Sequence, residues 1–291
     1  MKPTKPTKQL QQNPWIRLMR FDKPIGIYLL LWPTYWGLWF ASNGQPSLKN
    51  LIIFSLGVVV MRAAGCVIND YADRHVDGKV ERTRHRPIPA GEIAPQHALL
   101  VFFVLLIIAL GLVVATNILT VQLAIVGTLL AACYPFLKRI THLPQLGLGV
   151  AWAWAIPMAF AAEQQALPEV LWLIVVAIIC WTVAFDTYYA MVDRDDDLKT
   201  GIKSTAILFG QYDLVFVAIL QFMMLLFLVM AGHYFDRGWI YMAGLVMAAG
   251  YFIHQHLQAR ERNKENCFRA FLNNHRVGMV IFIALALDYR L

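Results

Sequence analysis

The 291-residue chain is 59% hydrophobic and only 15% charged, with a formal net charge of +7. A soluble domain carries about 25% charged residues, so this composition excludes a soluble globular enzyme, a disordered chain and a disulfide scaffold. Many stretches of ~18 or more residues lack a charge and do not alternate in polarity, which predicts an all-α polytopic membrane protein rather than a β-barrel. The four cysteines are scattered without metal-binding or redox spacing and are interpreted as small apolar residues.

The N-terminal segment, residues 1–24, is polar and basic. No cleavage pattern follows the first apolar run, so no signal peptide is predicted. We expect this segment to be cytoplasmic and to carry an amphipathic stretch over residues 14–21 that lies on the membrane surface as an anchor. Residues 25–291 are predicted to form a single transmembrane domain.

Nine apolar segments follow in chain order, and each is predicted to be a transmembrane helix. Pro33 and Pro157 lie inside two of them and predict kinks, which neighbouring helices of a bundle accommodate. The predicted spans are residues 25–42, 50–70, 97–115, 118–136, 145–162, 169–190, 211–231, 238–256 and 273–289.

The Lys and Arg residues are concentrated in the N-terminal segment and in alternate loops. Those loops are residues 71–96, 137–144, 191–210 and 257–276, whereas the opposite side carries only Lys49, Arg237 and Arg290. The positive-inside rule therefore places the N terminus and the long loops in the cytoplasm, and nine spans place the C terminus outside. This distribution explains the net positive charge without a nucleic-acid partner.

The second predicted span ends in an acidic motif. Asn69, Asp73 and Asp77 are spaced i, i+4 and i+8, so one continuous helix would align them in a stripe. The sixth predicted span repeats this spacing 120 positions later, in Tyr189, Asp193 and Asp197. Four spans separate the two motifs, which suggests an internal repeat of four helices.

Each stripe places like charges one turn apart, where they repel, and a bound cation relieves that repulsion. The side chains are oxygen ligands without His or Cys in register, which favours Mg²⁺ over zinc or copper. Mg²⁺ also leaves coordination positions for phosphates, so two facing stripes could grip a diphosphate. Solvated helix ends paired with arginines are the alternative interpretation, and it is favoured for Asp70, Asp195 and Asp196, which fall off the stripes. Asp186 lies on the second stripe but deeper, as a supporting group or a base.

At these motifs the chain resembles the UbiA superfamily of intramembrane prenyltransferases. The resemblance is closest to its bacterial 4-hydroxybenzoate polyprenyltransferase branch, through further matches at residues 20–26, 61–66, 134–139 and 201–210. It implies nine helices around a central cavity that opens sideways to lipid, with Mg²⁺ as cofactor. It also implies transfer of a polyprenyl group from polyprenyl diphosphate to carbon 3 of 4-hydroxybenzoate in ubiquinone biosynthesis, at the bacterial inner membrane.

The hypothesis assigns a role to each polar residue near the motifs. The predicted metal-contacting, catalytic residues are Asn69, Asp73, Asp77, Asp193 and Asp197. Candidates for the diphosphate oxygens are Arg74, Lys138 and Lys203, which could equally be ordinary positive-inside charges. Tyr134 and Tyr189 could stabilise an allylic cation with their ring faces.

The carboxylate of the acceptor requires a cation, and arginine offers bidentate geometry. Arg139 and the intramembrane Arg62 are the two candidates. Arg62 lies about two helical turns before Asn69, roughly on the same face. An ionisable residue at that depth is a functional candidate, but a structural pairing of Arg62 with Asp186 or Asp70 is the alternative.

Two other functions compete with this hypothesis. A prenyltransferase of the same family could act on another aromatic or lipid acceptor. A cation transporter could use acidic stripes to line an ion path, but transporters bind near the membrane midplane and these carboxylates cluster at helix ends.

Overall fold

The computed structural model describes residues 13–79 and 83–291, with only the backbone described at Lys79. The predicted cytoplasmic segment up to residue 12, and the basic loop residue Arg82, lie outside the described residues. Within the described ranges the chain folds into helices and their connections. The helices are α1 (Pro14–Leu18), α2 (Ile25–Ala41), α3 (Leu48–Asp73), α4 (Pro95–Val114), α5 (Ile118–Leu137), α6 (Pro144–Ala153), α7 (Ala155–Gln164), α8 (Leu171–Thr200), α9 (Thr205–Phe209), α10 (Asp213–Tyr234), α11 (Trp239–Ala259) and α12 (Lys264–Asp288).

Every predicted apolar segment coincides with a helix, so the all-α prediction is confirmed. Among the described residues, seven helical segments are long and apolar enough to cross a membrane, and α2 is a shorter apolar helix of 17 residues. The seven segments are Leu48–Asp73, Pro95–Val114, Ile118–Leu137, Pro144–Gln164, Leu171–Thr200, Thr205–Tyr234 and Lys264–Asp288. The count of nine spans and the four-helix repeat stay predictions.

The two predicted proline kinks have different outcomes. The fifth apolar segment is divided at Trp154 into α6 and α7. Pro157 explains this division, because it has no N–H to donate to the carbonyl four residues earlier and its ring crowds that carbonyl. Pro33, by contrast, lies inside α2 without ending it.

The largest hydrophobic core joins α2 to the second half of the bundle. Trp36 of α2 stacks on Trp181 of α8 with ring centroids 5.4 Å apart. Both indoles also have polar partners: Trp36 donates to the Gly278 carbonyl oxygen at 3.2 Å, and Trp181 donates to Asn274 Oδ1 at 2.9 Å. A Cβ at Gly278 would approach the Trp181 ring to 2.8 Å, so glycine lets α12 approach this pair closely.

A cavity of about 390 Å³ lies in the first half of the bundle, between α2, α3, α4, α5, α6 and α7. Its wall is mainly aliphatic and includes Gly57 on α3, where a Cβ would meet no atom within 4 Å. Arg62 and Tyr134 also line it. The same wall includes Leu110 and Leu129, which are exposed on α4 and α5, so the cavity reaches the apolar outer surface of the bundle.

Candidate active site

Helix α3 carries the first acidic motif only as far as Asp73. Its N terminus is capped by Ser47, whose side chain accepts from the Asn50 N–H, and its last residue is Asp73. The chain then turns, with the Val76 N–H donating to the Asp73 carbonyl oxygen at 2.8 Å. Asp77 begins a short 3₁₀ turn.

The interpretation that one helix carries Asn69, Asp73 and Asp77 is therefore wrong for Asp77. Contacts from the following loop fix this residue: Thr83 donates its hydroxyl to the Asp77 carbonyl oxygen at 2.9 Å, and Arg86 pairs with the Asp77 carboxylate. These tertiary contacts set its position in place of the helical repeat.

Helix α8 carries the second motif without interruption. Asp186, Tyr189, Asp193 and Asp197 all lie between Leu171 and Thr200. The helix ends at Gly201, whose φ of +71° is the left-handed C-terminal conformation that glycine adopts without strain. The predicted helical stripe is thus confirmed for Tyr189, Asp193 and Asp197.

Basic side chains surround the carboxylates of the first motif. Lys138 Nζ pairs with Asp73 Oδ2, and Arg139 Nη2 lies 3.8 Å from Asp73 Oδ1. Arg86 Nη1 lies 2.7 Å from Asp77 Oδ2 and 3.0 Å from Asp70 Oδ1, so one guanidinium bridges two buried carboxylates. Burial alone would lower the pKa of Arg86, but the charges of Asp70 and then Asp77 raise it above its usual range.

The sequence prediction does not identify two arginines that pair with Asp70, Arg86 and Arg20, as site residues. Arg86 was counted only as a positive loop charge, and Arg20, whose Nη2 lies 3.0 Å from Asp70 Oδ1, was not singled out as a site residue. Asp70 is the residue that could have pointed to both arginines. Its carboxylate is 1% exposed, and a buried carboxylate at the end of a span requires cationic partners.

A second group of polar side chains meets deeper, where α3, α5, α6 and α8 approach one another. Arg62 lies with its guanidinium carbon 5.8 Å from the centre of the Trp152 ring, and Tyr134, Tyr189 and Asp186 lie near it. Its Nε is buried and donates to no described residue. A Cβ at position 26 would overlap this guanidinium, so Gly26 makes room for it. Of the two structural partners considered for Arg62, Asp186 is near it, while Asp70 pairs with Arg20 and Arg86.

Two residues that are predicted to bind phosphate, Arg74 and Lys203, contact other parts of the chain. Arg74 lies 4.2 Å from the Tyr71 ring centre and donates to the Tyr71 carbonyl oxygen at 2.7 Å. Lys203 donates its Nζ to the Ile140 carbonyl oxygen at 3.0 Å and its backbone N–H to the Lys138 carbonyl oxygen at 2.9 Å. Lys203 therefore ties the connection after α8 to the connection after α5, next to Lys138.

Buried ion pairs also stabilise the region of the second motif. Asp213, at the start of α10, is fully buried and pairs with Arg194 of α8 and, at 2.9 Å, with Arg262 of the α11–α12 connection. The hydroxyls of Thr187 and Thr205 lie 2.7 Å apart and join α8 to α9. These contacts hold the C-terminal half of α8 against its neighbours.

Comparison with known proteins identifies this arrangement. The profile of the UbiA prenyltransferase family matches residues 30–284. The chain belongs to this family. It is 53% identical over 289 residues to a 4-hydroxybenzoate octaprenyltransferase of Saccharophagus degradans, covering 99% of this chain and 97% of the relative. A protein of the same name from Ectopseudomonas mendocina is 54% identical over 287 residues, covering 98% and 97%.

Solved structures share the fold. A UbiA homolog from Aeropyrum pernix K1, in its apo state, superposes with a TM-score of 0.80 at 22% identity, over 90% of this chain and 97% of that chain. A UbiA homolog from Archaeoglobus fulgidus bound to GPP and Mg²⁺ superposes with a TM-score of 0.75 at 19% identity, over 95% and 99%. These likenesses confirm the predicted fold of this UbiA-family chain.

The described part of this UbiA-family chain contains no group of three His, Cys, Asp or Glu side chains placed to hold a metal ion. In the first motif, cationic side chains are paired with the carboxylates, Lys138 with Asp73 and Arg86 with Asp77. Asp73 Oδ1 is nevertheless buried and accepts no hydrogen bond from a described residue, and its ion pair with Arg139 Nη2 is a longer contact of 3.8 Å, so this anionic oxygen keeps the capacity to bind a cation. This residue and the other carboxylates are hard oxygen ligands, so the donor set fits Mg²⁺.

Proposed function

We propose that this chain transfers a polyprenyl group from a polyprenyl diphosphate, with octaprenyl diphosphate as the preferred donor, to carbon 3 of 4-hydroxybenzoate and releases diphosphate. This reaction is the ring-prenylating step of ubiquinone biosynthesis. The observation that carries the proposal is the juxtaposition of an apolar, lipid-facing cavity with acidic and basic side chains beside it. The acceptor and the donor length come from the names of the full-length relatives.

The donor is an amphiphile, and the two parts of this site match its two parts. The apolar tail fits the cavity along α3, α4 and α5, which reaches the lipid-facing surface of the bundle. The diphosphate belongs beside Lys138 and Arg139, which lie against Asp73 at the end of α3. Basic side chains bind phosphate oxygens through charge-assisted hydrogen bonds.

Asn69, Asp73 and Asp77, together with Asp193 and Asp197 of α8, are the residues that we propose to hold Mg²⁺. When bound, the metal neutralises the diphosphate and stabilises the negative charge that develops on it as the allylic C–O bond breaks. Asp73 Oδ1, buried and free of hydrogen bonds from described residues, supports this assignment.

The allylic cation that results must be kept from water. The aliphatic cavity wall excludes water. The ring faces of Tyr134 and Tyr189, together with that of Trp152 in the cavity wall, stabilise positive charge. Arg62 binds the acceptor carboxylate, because it is the cation in the cavity wall and its Nε has no described partner. The phenol hydroxyl directs attack to its ortho position, carbon 3. Asp186, close to Arg62, is the candidate base for the ring proton.

The site opens at the cytoplasmic side of the bacterial inner membrane in this proposal. The basic loops support this orientation through the positive-inside rule, and the relatives named above are bacterial. The N-terminal segment is then cytoplasmic as well.

The test incubates the purified protein with Mg²⁺, labelled 4-hydroxybenzoate and prenyl diphosphates of different lengths. We expect a lipid-soluble product carrying the prenyl group at carbon 3, loss of the product with a chelator, and recovery on adding Mg²⁺. Parallel reactions with other aromatic acids test the acceptor assignment. Mg²⁺ flux into protein-containing vesicles, with no diphosphate released, would support a cation transporter instead.

A further inference from the structure

The short helix α1 has two faces with opposite surroundings. Its N terminus is capped by Asn13, whose Oδ1 accepts from the Trp15 N–H at 2.9 Å. Arg17 and Leu18 on the inner face are buried, whereas Trp15 and Ile16 on the outer face are 37% and 42% exposed. The proposed reaction gives neither face a task.

The inner face is attached to residues 83–94, here called the cap segment, which precede α4. Arg17 Nη1 lies 2.8 Å from Glu92 Oε2, and Arg17 Nη2 donates to the His85 carbonyl oxygen at 2.5 Å. Leu18 belongs to the same buried hydrophobic cluster as Ile88 and Ile93. Ionic, hydrogen-bonded and hydrophobic contacts therefore all join α1 to the cap segment.

This attachment leads directly to the acidic site. His85 precedes Arg86, whose guanidinium bridges Asp70 and Asp77. From the chain connecting α1 to α2, Arg20 pairs with the same Asp70. The region around α1 thus contacts two parts of the Arg86 bridge: Arg17 binds the backbone at His85, and Arg20 binds Asp70.

The outer face suits a lipid interface. Trp combines an apolar ring with one polar N–H and is enriched where membrane and water meet. Helix α1 directly precedes the apolar helix α2 and packs on α3. The first two turns of α2 and α4 also expose large apolar side chains, Tyr28 and Leu100, so α1 lies beside the beginnings of lipid-facing surfaces.

We propose that α1 rests in the lipid headgroup region through Trp15 and Ile16, and that Arg17 is a positioning residue that fixes the cap segment and, through Arg86, the site of Asp77. The membrane surface then contributes to the order of the acidic site. The activity readout below rests on the proposed function, whereas the exchange and fluorescence readouts do not.

Hydrogen exchange of the full-length protein in lipid nanodiscs tests the attachment. We expect Arg17→Leu to raise the exchange of cap-segment amides by on the order of tenfold, and Arg17→Lys to restore part of the protection. Arg237→Leu is the matched control, because it removes a partly buried, carboxylate-paired arginine near Asp288, and it should leave the cap segment unchanged. Wild-type exchange in Arg17→Leu would overturn the attachment.

In the prenyl-transfer assay, Arg17→Leu should raise the KM for the donor several-fold more than it lowers kcat. The substitution displaces Arg86 and Asp77, but it removes neither side chain. An equal loss at every donor concentration, with unchanged KM, would indicate general unfolding and contradict the positioning role. If the wild-type protein transfers no prenyl group at all, the proposed function fails, but the exchange result still decides the attachment.

Fluorescence tests the lipid contact. The wild-type emission minus that of Trp15→Phe isolates Trp15 among the nine tryptophans. We expect this difference signal to be quenched in nanodiscs of brominated phosphatidylcholine and protected from aqueous iodide. Quenching by iodide alone would place α1 in water. Protection from both quenchers would place protein over it, such as a second copy of this chain, and either result would overturn the lipid contact.

Discussion

The two acidic regions are built differently although their sequences repeat. The first is interrupted: α3 ends at Asp73, and contacts from Thr83 and Arg86 fix Asp77 beyond the helix. The second is continuous, since α8 runs through both Asp193 and Asp197 to Thr200. The comparison shows that helical geometry alone sets the spacing of the second region. In the first region, helical geometry sets the positions of Asn69 and Asp73, whereas tertiary contacts from Thr83 and Arg86 set the position of Asp77.

Each region also depends on a buried aspartate that lies outside its stripe. Asp70 pairs with Arg20 and Arg86, and Asp213 pairs with Arg194 and Arg262. A buried carboxylate with two guanidinium partners stabilises the local arrangement of the chain. Removing the carboxylate or a guanidinium group leaves an unpaired buried charge, which is energetically unfavourable. The first set of ion pairs holds a loop, whereas the second holds two helices.

The largest expected effect comes from the carboxylate at the end of α3. Asp73→Ala should lower kcat by on the order of a thousandfold even at high Mg²⁺, because it removes a proposed metal contact and leaves Lys138 without its partner. Prenyl transfer by purified protein measures the effect. Asp195→Ala is the control, since Asp195 lies off the stripe on α8 and forms an exposed pair with Lys264. Near-normal turnover by Asp73→Ala would defeat the assignment.

The next effect separates the two arginines proposed for substrate. Arg62→Gln should raise the KM for 4-hydroxybenzoate about thirtyfold with little change in the donor KM, because a hydrogen bond to a charged group contributes ~1.5–3 kcal/mol. Arg139→Ala should instead raise the donor KM, because Arg139 lies near Asp73 beside Lys138. A larger effect of Arg139→Ala on the acceptor KM would return the acceptor carboxylate to Arg139, the other candidate from the sequence.

A smaller effect is expected where the cavity wall is open. Gly57→Leu should lower kcat/KM for octaprenyl diphosphate by about tenfold relative to a short donor such as geranyl diphosphate, because overpacking costs ~1–3 kcal/mol. A Cβ at position 57 would meet no atom within 4 Å, so we expect the fold to persist. Gly111→Leu on α4 is the matched control: a Cβ there also meets no atom within 4 Å, but Gly111 does not line the cavity. Equal losses with both donors would exclude this wall from tail binding.

The sequence predicted the order and the apolar parts of the helices well because these depend on local chemistry, although α8 and α12 extend nine to ten residues beyond the predicted spans 169–190 and 273–289. Apolar length, the cap at Ser47 and the left-handed Gly201 are all properties of neighbouring residues. The end of the first stripe was predicted wrongly because it depends on Thr83 and Arg86, which reach Asp77 only through the folded loop. The spacing of acidic residues along a helix cannot reveal that contact.

The choice of basic residues was equally hard to predict. The positive-inside rule accounts for any arginine in a loop that is predicted to be cytoplasmic, so it does not separate Arg86, which bridges Asp70 and Asp77, from Arg74, which lies on Tyr71. The buried, intramembrane Arg62 stood out because it lies where a charge is unfavourable. Residues become predictable as functional candidates when their position conflicts with their chemistry.

The smallest effect compares Arg74 and Arg194, which occupy equivalent positions of the two motifs, 120 residues apart. Arg194→Ala should lower the free energy of unfolding by ~2 kcal/mol, because it removes one of the two guanidinium groups that pair with the buried Asp213 and leaves Arg262 as the other. Arg74→Ala should lower it by only ~0.5 kcal/mol, since it removes a contact with the Tyr71 ring and a backbone hydrogen bond.

Thermal unfolding of the two variants in the same detergent measures this difference, and the transfer assay should show less than a threefold loss for Arg74→Ala. Equal destabilisation by the two substitutions would mean that Arg74 and Arg194 stabilise the fold to the same extent. This would contradict the prediction from the Arg194–Asp213 ion pair. A severe loss of activity in a stably folded Arg74→Ala variant would instead return Arg74 to the diphosphate, as the sequence first suggested. Only an arginine that leaves Tyr71 to reach the substrate could produce that outcome, because the ring contact and the backbone bond hold it along the end of α3.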